Sequence, residues 1–547
     1  MKTFKYIVLG CLASLSAVMT SCGSDYLDTT PTESVNYPTA MGSADNLYKA
    51  LNGIARTMST QQHMGSQGEC GENNIISLYE NYMSQDYYYN AFASGWNPIM
   101  NLKYTQNNHY STYPWYYYYN IIGQANSILA NVDKATGDDD LKKFCKGAAL
   151  TFRAYAYEKL IHYYAPRWQD SNNGESKVIV LRTDESTGDK APSSLNDVYT
   201  QIYKDCQDAI TSFESSKYKR PSTQVWIPNV NVAHAVYARA ALYRQDYQTA
   251  LTQATVARNG YPLMSNADYQ AGFCKPTSEW IFGSYGGTTE NNWYWSFGTQ
   301  FSCNGYYGSN TAYGAGQISD ALTKQIPNTD VRKHLFLTPD KIGWGDSTNV
   351  YLRGVKNPNQ PTAPFDPVAF KKAVAYMDSI HETYTKDYAA PYQGCKRAGY
   401  FFMGSQWKFY VFDSPGVGYL PFIRSSEMLL IEAEANHFLG NDVAAQANLV
   451  ELNQKTGRDP KYTCTKTGNE MFKEIVKYRS LELWGEGFGF SDYKRWNLPV
   501  DRTTSDNASS IIQVLVKPNG TGWAWKIPLG ETDYNHEYTG TQNKTVK

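Results

Sequence analysis

Apolar residues recur at steps of three and four along much of the chain, the spacing of one helix face. Residues 141–165 set Cys145, Ala149, Phe152, Ala156, Leu160 and Tyr163 on such a face, and Pro166 stops it. The same period runs from Leu195 to Phe213 within residues 195–215. Residues 230–259 predict two helices joined at Gln245-Asp246-Tyr247. Ala233, Ala235, Ala238, Ala240 and Ala241 make the first arm slim enough for close approach of a partner helix; Ala250, Ala254 and Ala257 line the second, and Pro262 follows. A later block repeats the spacing: Ala433, Ala445 and Leu452 keep the steps of Ala238, Ala250 and Ala257. Gly440-Asn441-Asp442 supplies its turn, with Gly440 as the helix stop and Asp442 as the N-cap. Small residues at these steps predict tetratricopeptide-like helix pairs. The copies lie 195 residues apart, so a large segment is inserted between them.

That segment, residues 264–415, is rich in glycine and aromatics and holds a proline-rich span from Asn357 to Pro367. No helical period is sustained through residues 276–317, which predicts loops and short strands carried on a helical frame. Loops on a rigid scaffold are where binding residues gather.

Composition changes the picture in one respect. The chain has 46 Tyr and 13 Trp among 547 residues, more than a core needs. Both suit wet binding surfaces with one apolar side. A net charge of −1 offers no basic excess for a nucleic-acid backbone. Past the first 22 positions no apolar run is long enough to span a bilayer. Within them, Lys2 and Lys5 precede an apolar stretch from Tyr6 to Val18, then Met19-Thr20-Ser21-Cys22. This reads as a lipoprotein signal peptide (residues 1–21) with Cys22 as the acylated residue, followed by a tether to about residue 36. The rival Cys11 leaves too short an apolar stretch, and an ordinary signal peptide is the alternative. Several acyl chains hold a protein stably at a membrane. The remaining seven Cys are odd in number and widely spaced, with no Cys-x-x-Cys pair, which argues against a disulfide framework or a structural zinc site. No cofactor or metal is expected.

Glu482 and Glu486, with Arg479 nearby, have the residue types of a glycosidase pair. Carboxylates beside an Arg on one helix stay ionised, which is wrong for a general acid, so a buried ion network is the better reading. Glu432 and Glu434 fall on different helix faces. Asp138-Asp139-Asp140 lacks the spaced ligands of a calcium loop and reads as a solvated helix N-terminus. Trp115 to Tyr119 sits at the start of a predicted helix and reads mainly as core.

Several segments together resemble the SusD/RagB outer-membrane lipoproteins. Tyr26-Leu27-Asp28 with Pro31-Thr32 looks like the family's start after the tether. Phe152-Arg153-Ala154-Tyr155-Ala156-Tyr157 is similar to its "RA-x-x-Y" helix, and Arg424 to Ala435 to its "AEA" helix. Arg479 to Gly487 with Asp492-Tyr493-Lys494-Arg495-Trp496 resembles its "ER-x-x-EL-x-x-EG…D-x-x-RW" signature, and Ile527-Pro528 and Gln542-Asn543 its ending. Tyr478 stands where the family has Glu, and Phe488-Gly489-Phe490 replaces its usual Arg. The resemblance implies a mainly α fold: a tetratricopeptide-like superhelix carrying an irregular ligand-binding half. On this reading residues 37–263 and 416–547 form the helical regions and 264–415 the insertion. It also implies a surface-exposed, outer-membrane, non-enzymatic protein that hands oligosaccharides, or in some members peptides, to a SusC-like TonB-dependent barrel. A lipid-anchored glycoside hydrolase is the reading from another class.

Two aromatic clusters are the candidate sugar platform. Tyr87, Tyr88 and Tyr89 with Trp96 and Asn97 read as a loop near Gly95 and Pro98. Trp293, Tyr294 and Trp295 with Tyr306 and Tyr307 lie in the glycine-rich insertion. An aromatic ring covers the C–H face of a pyranose, and neighbouring amides bind its hydroxyls. Two or three such rings and a few wet hydrogen bonds give roughly −4 to −7 kcal/mol, an affinity suited to a protein that must release its ligand.

Overall fold

The computed structural model describes residues 40–60, 69–81, 83–89, 97–103, 106, 108–286, 301–303, 315–336, 368, 404–411, 418–508 and 512–538. Ten helices build the frame: α1 (Ala44–Ser59), α2 (His109–Asn131), α3 (Asp139–Tyr164), α4 (Leu195–Glu214), α5 (Val230–Arg244), α6 (Tyr247–Ala257), α7 (Ser425–Phe438), α8 (Asp442–Val450), α9 (Gly468–Glu482) and α10 (Gly489–Trp496). Capping follows local chemistry. Asp138 accepts from the amides of Asp140 and Leu141 at the head of α3, and Ser194 with Asp197 forms a capping box on α4. Gln245 ends α5 in the left-handed region (φ 66°), and Asp246 caps α6.

The helices form a row in which α2 packs on α3, α3 on α4, α4 on α5 and α5 on α6. α7 continues the row directly from α6, then packs against α8 and α9. The Ala faces explain the close fit: Ala233, Ala235, Ala238, Ala240, Ala241, Ala250, Ala254 and Ala257 are all fully buried. The row is therefore continuous across the long insertion. The two repeat copies are distant in sequence because the chain leaves after α6 and returns at α7.

A short antiparallel ribbon closes that excursion. β4 (Trp280–Gly283) pairs with β6 (Pro421–Arg424), matching Trp280 with Arg424 and Gly283 with Pro421, and α7 starts at the next residue. A second ribbon joins β1 (Tyr87–Tyr89) to β5 (Ala315–Ile318). Two further ribbons pair β2 (Lys177–Ile179) with β3 (Ser193–Ser194), and β7 (Val500–Asp501) with β8 (Leu515–Val516).

Two local expectations are corrected. The N-cap of α8 is Asn441, whose side chain accepts from the amide of Ala444. Asp442 is already helical and instead accepts from His437 and from the amide of Gly468. α2 starts at His109, so the aromatic run begins more than a turn inside it. Trp115, Tyr117 and Tyr118 are buried, as a core role requires, while Tyr116 is exposed. Cys70, Cys145, Cys206, Cys274, Cys303 and Cys464 are free thiols. No helix among the described residues is long and apolar enough to cross a membrane.

Candidate functional site

Tyr87, Tyr88 and Tyr89 do not form the expected loop. They are strand β1, at 2%, 0% and 5% exposure. Tyr87 stacks on Phe301 (5.8 Å) and packs against Trp484 (5.0 Å). Rings this deep cannot cover a sugar face; they form the inner layer of a ribbon. Aromatic residues favour strands, but β1's partner lies more than 200 positions away, which local sequence does not reveal. Asn97 opens a short helix, Asn97–Met100. Trp96, Trp293, Tyr294, Trp295, Tyr306, Tyr307 and Cys22 lie outside the described residues, as does the segment to residue 39. Tyr89 pairs with Ala315, so the chain going on to Trp96 and the chain arriving from Tyr307 attach at one end of the same ribbon.

The carboxylates at positions 482 and 486 tie distant parts of the chain together. Glu482 closes α9, and Glu486 lies in the following turn, not on the same helix face as expected. Glu482 is paired with Arg332 and Arg424 (both 2.8 Å) and Arg458 (3.4 Å). Glu486 takes Arg424 (2.7 Å) and Lys408 (2.6 Å), and Glu279 takes Arg424 (2.9 Å). Arg479, placed beside Glu482 by spacing, instead binds Asp492 (2.6 Å). All these groups are buried. Burial alone raises the Glu482 carboxyl, but Arg458, Arg424 and Arg332 outweigh it and hold it well below the usual carboxylate range. Such a group does not donate protons near neutral pH. Burial pushes Lys408 down to about 8, against the pull of Glu486. Arg332 and Lys408 both lie between α6 and α7 in sequence, so this cluster fastens their stretches of chain to the helical frame.

The turn carrying Glu486 is built for glycine. Gly485 and Gly487 have φ of +79° and +86°. A Cβ on Gly487 falls 2.5 Å from Glu80 Oε2 and 3.0 Å from Ile76 Cγ2. The Asn81 amide donates to the Gly485 carbonyl (2.8 Å) and accepts from the Gly487 amide (2.9 Å). Gly487→Ala is expected to lower stability by roughly 1–3 kcal/mol through left-handed strain and this clash. A melting curve superimposable on wild type would refute it.

The motifs matched in the sequence prove to be two sides of one structure. Glu434 of α7 accepts from Arg495, bidentately, and from Trp496 Nε1 (2.9 Å) of α10. Arg495 also reaches Asp492, the partner of Arg479. Lys494 donates to the carbonyls of His162 and Ala165, at the C-terminal end of the α3 backbone ladder. Glu432 turns the other way, to Arg258 (2.7 Å). Arg153 of α3 forks onto Asp205. The two departures from the family pattern put rings beneath cations: Arg332 lies over Tyr478 (5.2 Å), and Arg239 and Arg479 over Phe488 (5.1 and 5.2 Å).

Just before β1, two buried carboxylates share one ammonium. Lys159 binds Glu80 (2.9 Å) and lies 3.7 Å from Glu72. Tyr118 (3.1 Å) and Tyr155 (2.5 Å) donate to Glu72. Burial pushes the Glu72 carboxyl up to about 7, with Lys159 pulling back and Glu80 adding to the rise. The folded state then holds a proton that the unfolded state has released above its own pKa of 4.5. Stability from this group is full below about pH 4.5 and is lost as pH rises toward 7. Glu72→Gln should flatten that part of the stability profile and gain on wild type at pH 8. Melting temperatures of both proteins at pH 5 and pH 8 test it; an unchanged difference between them would count against a proton on Glu72.

A continuous row of helix pairs, tied by buried ions to described parts of the segment between α6 and α7, defines an α-helical repeat scaffold. Residues 241–545 match the model of the SusD family, and residues 25–242 that of a SusD-like family described as starch-binding and associating with the outer membrane. The chain belongs to the SusD family. The fold is shared with a SusD-like carbohydrate-binding protein of Bacteroides vulgatus at 19% identity and a TM-score of 0.71, covering 92% of this chain and 100% of that one. A SusD superfamily protein of Bacteroides thetaiotaomicron matches at 20% and 0.68, covering 92% and 99%. Surface glycan-binding protein A of the same organism matches at 16% and 0.62, covering 92% and 100%. No curated protein matches the chain.

Proposed function

We propose that this protein captures oligosaccharides at the cell surface and passes them to a SusC-like TonB-dependent barrel in the outer membrane, held there by lipid on Cys22. The observation that carries the reading is the fold, shared over 92% of the chain with proteins described as carbohydrate-binding and surface glycan-binding. Two features support a binder over a catalyst. Glu482 and Glu486 are committed to buried cations. The chain segments bearing Trp96 and Tyr306-Tyr307 join one end of the β1–β5 ribbon, itself fixed to the frame through Trp484, which packs on Tyr87 and donates to the Asp86 carbonyl. Tyr87, Tyr88 and Tyr89 support that ribbon. The ligand-facing rings are Trp96, Trp293, Tyr294, Trp295, Tyr306 and Tyr307, with Asn97 among the amides.

Binding of the mature protein, without lipid, to an array of plant, bacterial and host glycans tests the proposal. Hits sharing one disaccharide are expected. A blank array with binding to peptides would replace the glycan by a peptide cargo.

A further inference from the structure

We infer that Trp226 and Tyr285, with the Gln224 amide, form a saccharide subsite on the helical frame that holds one neutral pyranose of the captured chain. The inference deepens the glycan reading and rests on it for the ligand class. Trp226 lies in the link between α4 and α5, and Tyr285 follows β4, where the chain leaves for the insertion. Their rings meet at 5.0 Å and 77°, which makes a corner of two planes. Val225 and Ile227 are buried on either side of Trp226, which is itself partly exposed. Tyr285 is partly exposed too, directly after the buried Ser284.

The frame holds all three side chains in place. The Ile227 amide donates to the Gln224 carbonyl (3.1 Å), closing a turn with Trp226 inside it. Tyr48 and Asn52 are one helical turn apart on α1 and take one side chain each. Tyr48 donates to Gln224 Oε1, and Trp226 Nε1 donates to Asn52 Oδ1 (3.1 Å). The link runs beside β4: the Gly283 amide donates to the Val225 carbonyl (3.1 Å), and Arg220 donates to the carbonyls of Ile227 (2.9 Å) and Ile281 (3.1 Å). Before Tyr285, the Ser284 amide donates to the Leu420 carbonyl and the Ser284 hydroxyl accepts from the Leu420 amide (both 2.9 Å). A site fixed in advance costs little ordering on binding.

The groups left open select the ligand. Among the described residues, the only ring contact of Trp226 and of Tyr285 is with the other. The Gln224 amide nitrogen and the Tyr285 hydroxyl donate to no described residue. Apolar surface with a few placed polar groups is the make-up of a small-ligand site. A wholly apolar ligand would strip water from the amide and the phenol without replacing it. An ionic ligand gains no pairing from three uncharged side chains. A neutral pyranose meets both demands: its C–H face covers a ring, and its hydroxyls pair with the Gln224 amide and the Tyr285 hydroxyl.

The test uses protein labelled with ¹⁵N-tryptophan and titrated with maltohexaose, cellohexaose, xylohexaose and mannohexaose, with calorimetry beside it. The Trp226 indole signal is assigned with Trp226→Phe. At least one hexasaccharide should move that signal along the same binding curve that calorimetry gives. Tyr285→Ala should weaken that binding at least fivefold. Gln224→Glu keeps the acceptor for Tyr48 and removes the free donor, and it should weaken binding as well. The circular dichroism and melting temperature of both variants should match wild type. If a hexasaccharide binds by calorimetry and leaves Trp226 unmoved, or if both variants bind as wild type does, the inference falls and the glycan reading stands. If none of the four moves Trp226 or releases heat, the inference falls and the glycan array alone decides the wider reading.

Discussion

Glu482→Gln is expected to destabilise the protein by about 3–5 kcal/mol, the cost of breaking a buried charge pair by removing one partner. The substitution keeps size and removes the charge that faces Arg332, Arg424 and Arg458. Three guanidiniums would then share Glu279, Glu486 and Asp330 in a region closed to water. A solvent-exposed pair would cost under about 1 kcal/mol, so the size of the loss distinguishes a keystone from a surface contact. The pH dependence should change as well. The folded-state carboxyl is depressed, so its stabilisation is present above the unfolded value of 4.5 and fades as pH falls below it. Wild type should lose this contribution on acidification, and the variant should have none to lose. Denaturant unfolding at pH 7 and pH 4 measures both. A variant as stable as wild type at pH 7 would show that the cluster is not what fastens the insertion. A glycan cleaved by wild type and spared by the variant would make Glu482 a reacting group instead.

Trp96→Ala/Trp293→Ala is expected to have the opposite signature: near-native stability with oligosaccharide affinity lowered roughly ten- to a hundredfold. This corresponds to about 0.7–1.4 kcal/mol for each ring, within the range of aromatic contacts. Tyr87, Tyr88 and Tyr89 are spent on packing, so the proposed ligand contact is assigned to the other named rings. Calorimetric titration with a glycan hit from the array, beside a thermal melt, reads both quantities. Unchanged affinity would move the site away from these two rings. Unfolding of the double variant would place them in the core with the β1 tyrosines.

The repeat frame was legible because its signals are local. Helix period, small residues at fixed steps, and capping side chains such as Ser194 and Asp246 act within a few positions of one another. The fate of Glu432 and Glu434 followed from helix geometry alone, since residues two apart face different ways, toward Arg258 and Arg495. The burial of Tyr87, Tyr88 and Tyr89 was not legible. Three adjacent tyrosines look the same in sequence whether they stack on a ligand or on Phe301.

Sequence by itself determined the family, the helical frame, the existence of a long insertion and the residue types available for binding, since each is written in spacing or composition. Tertiary structure decided which groups meet. It joined α6 to α7 across the insertion, turned Tyr87–Tyr89 inward by pairing them with Ala315–Ile318, and gave Glu482 cations from Arg332, Arg424 and Arg458 instead of Arg479. The physical reason is the same in each case. Burial and ion pairing depend on what lies across space, and these partners come from parts of the chain that no local period connects.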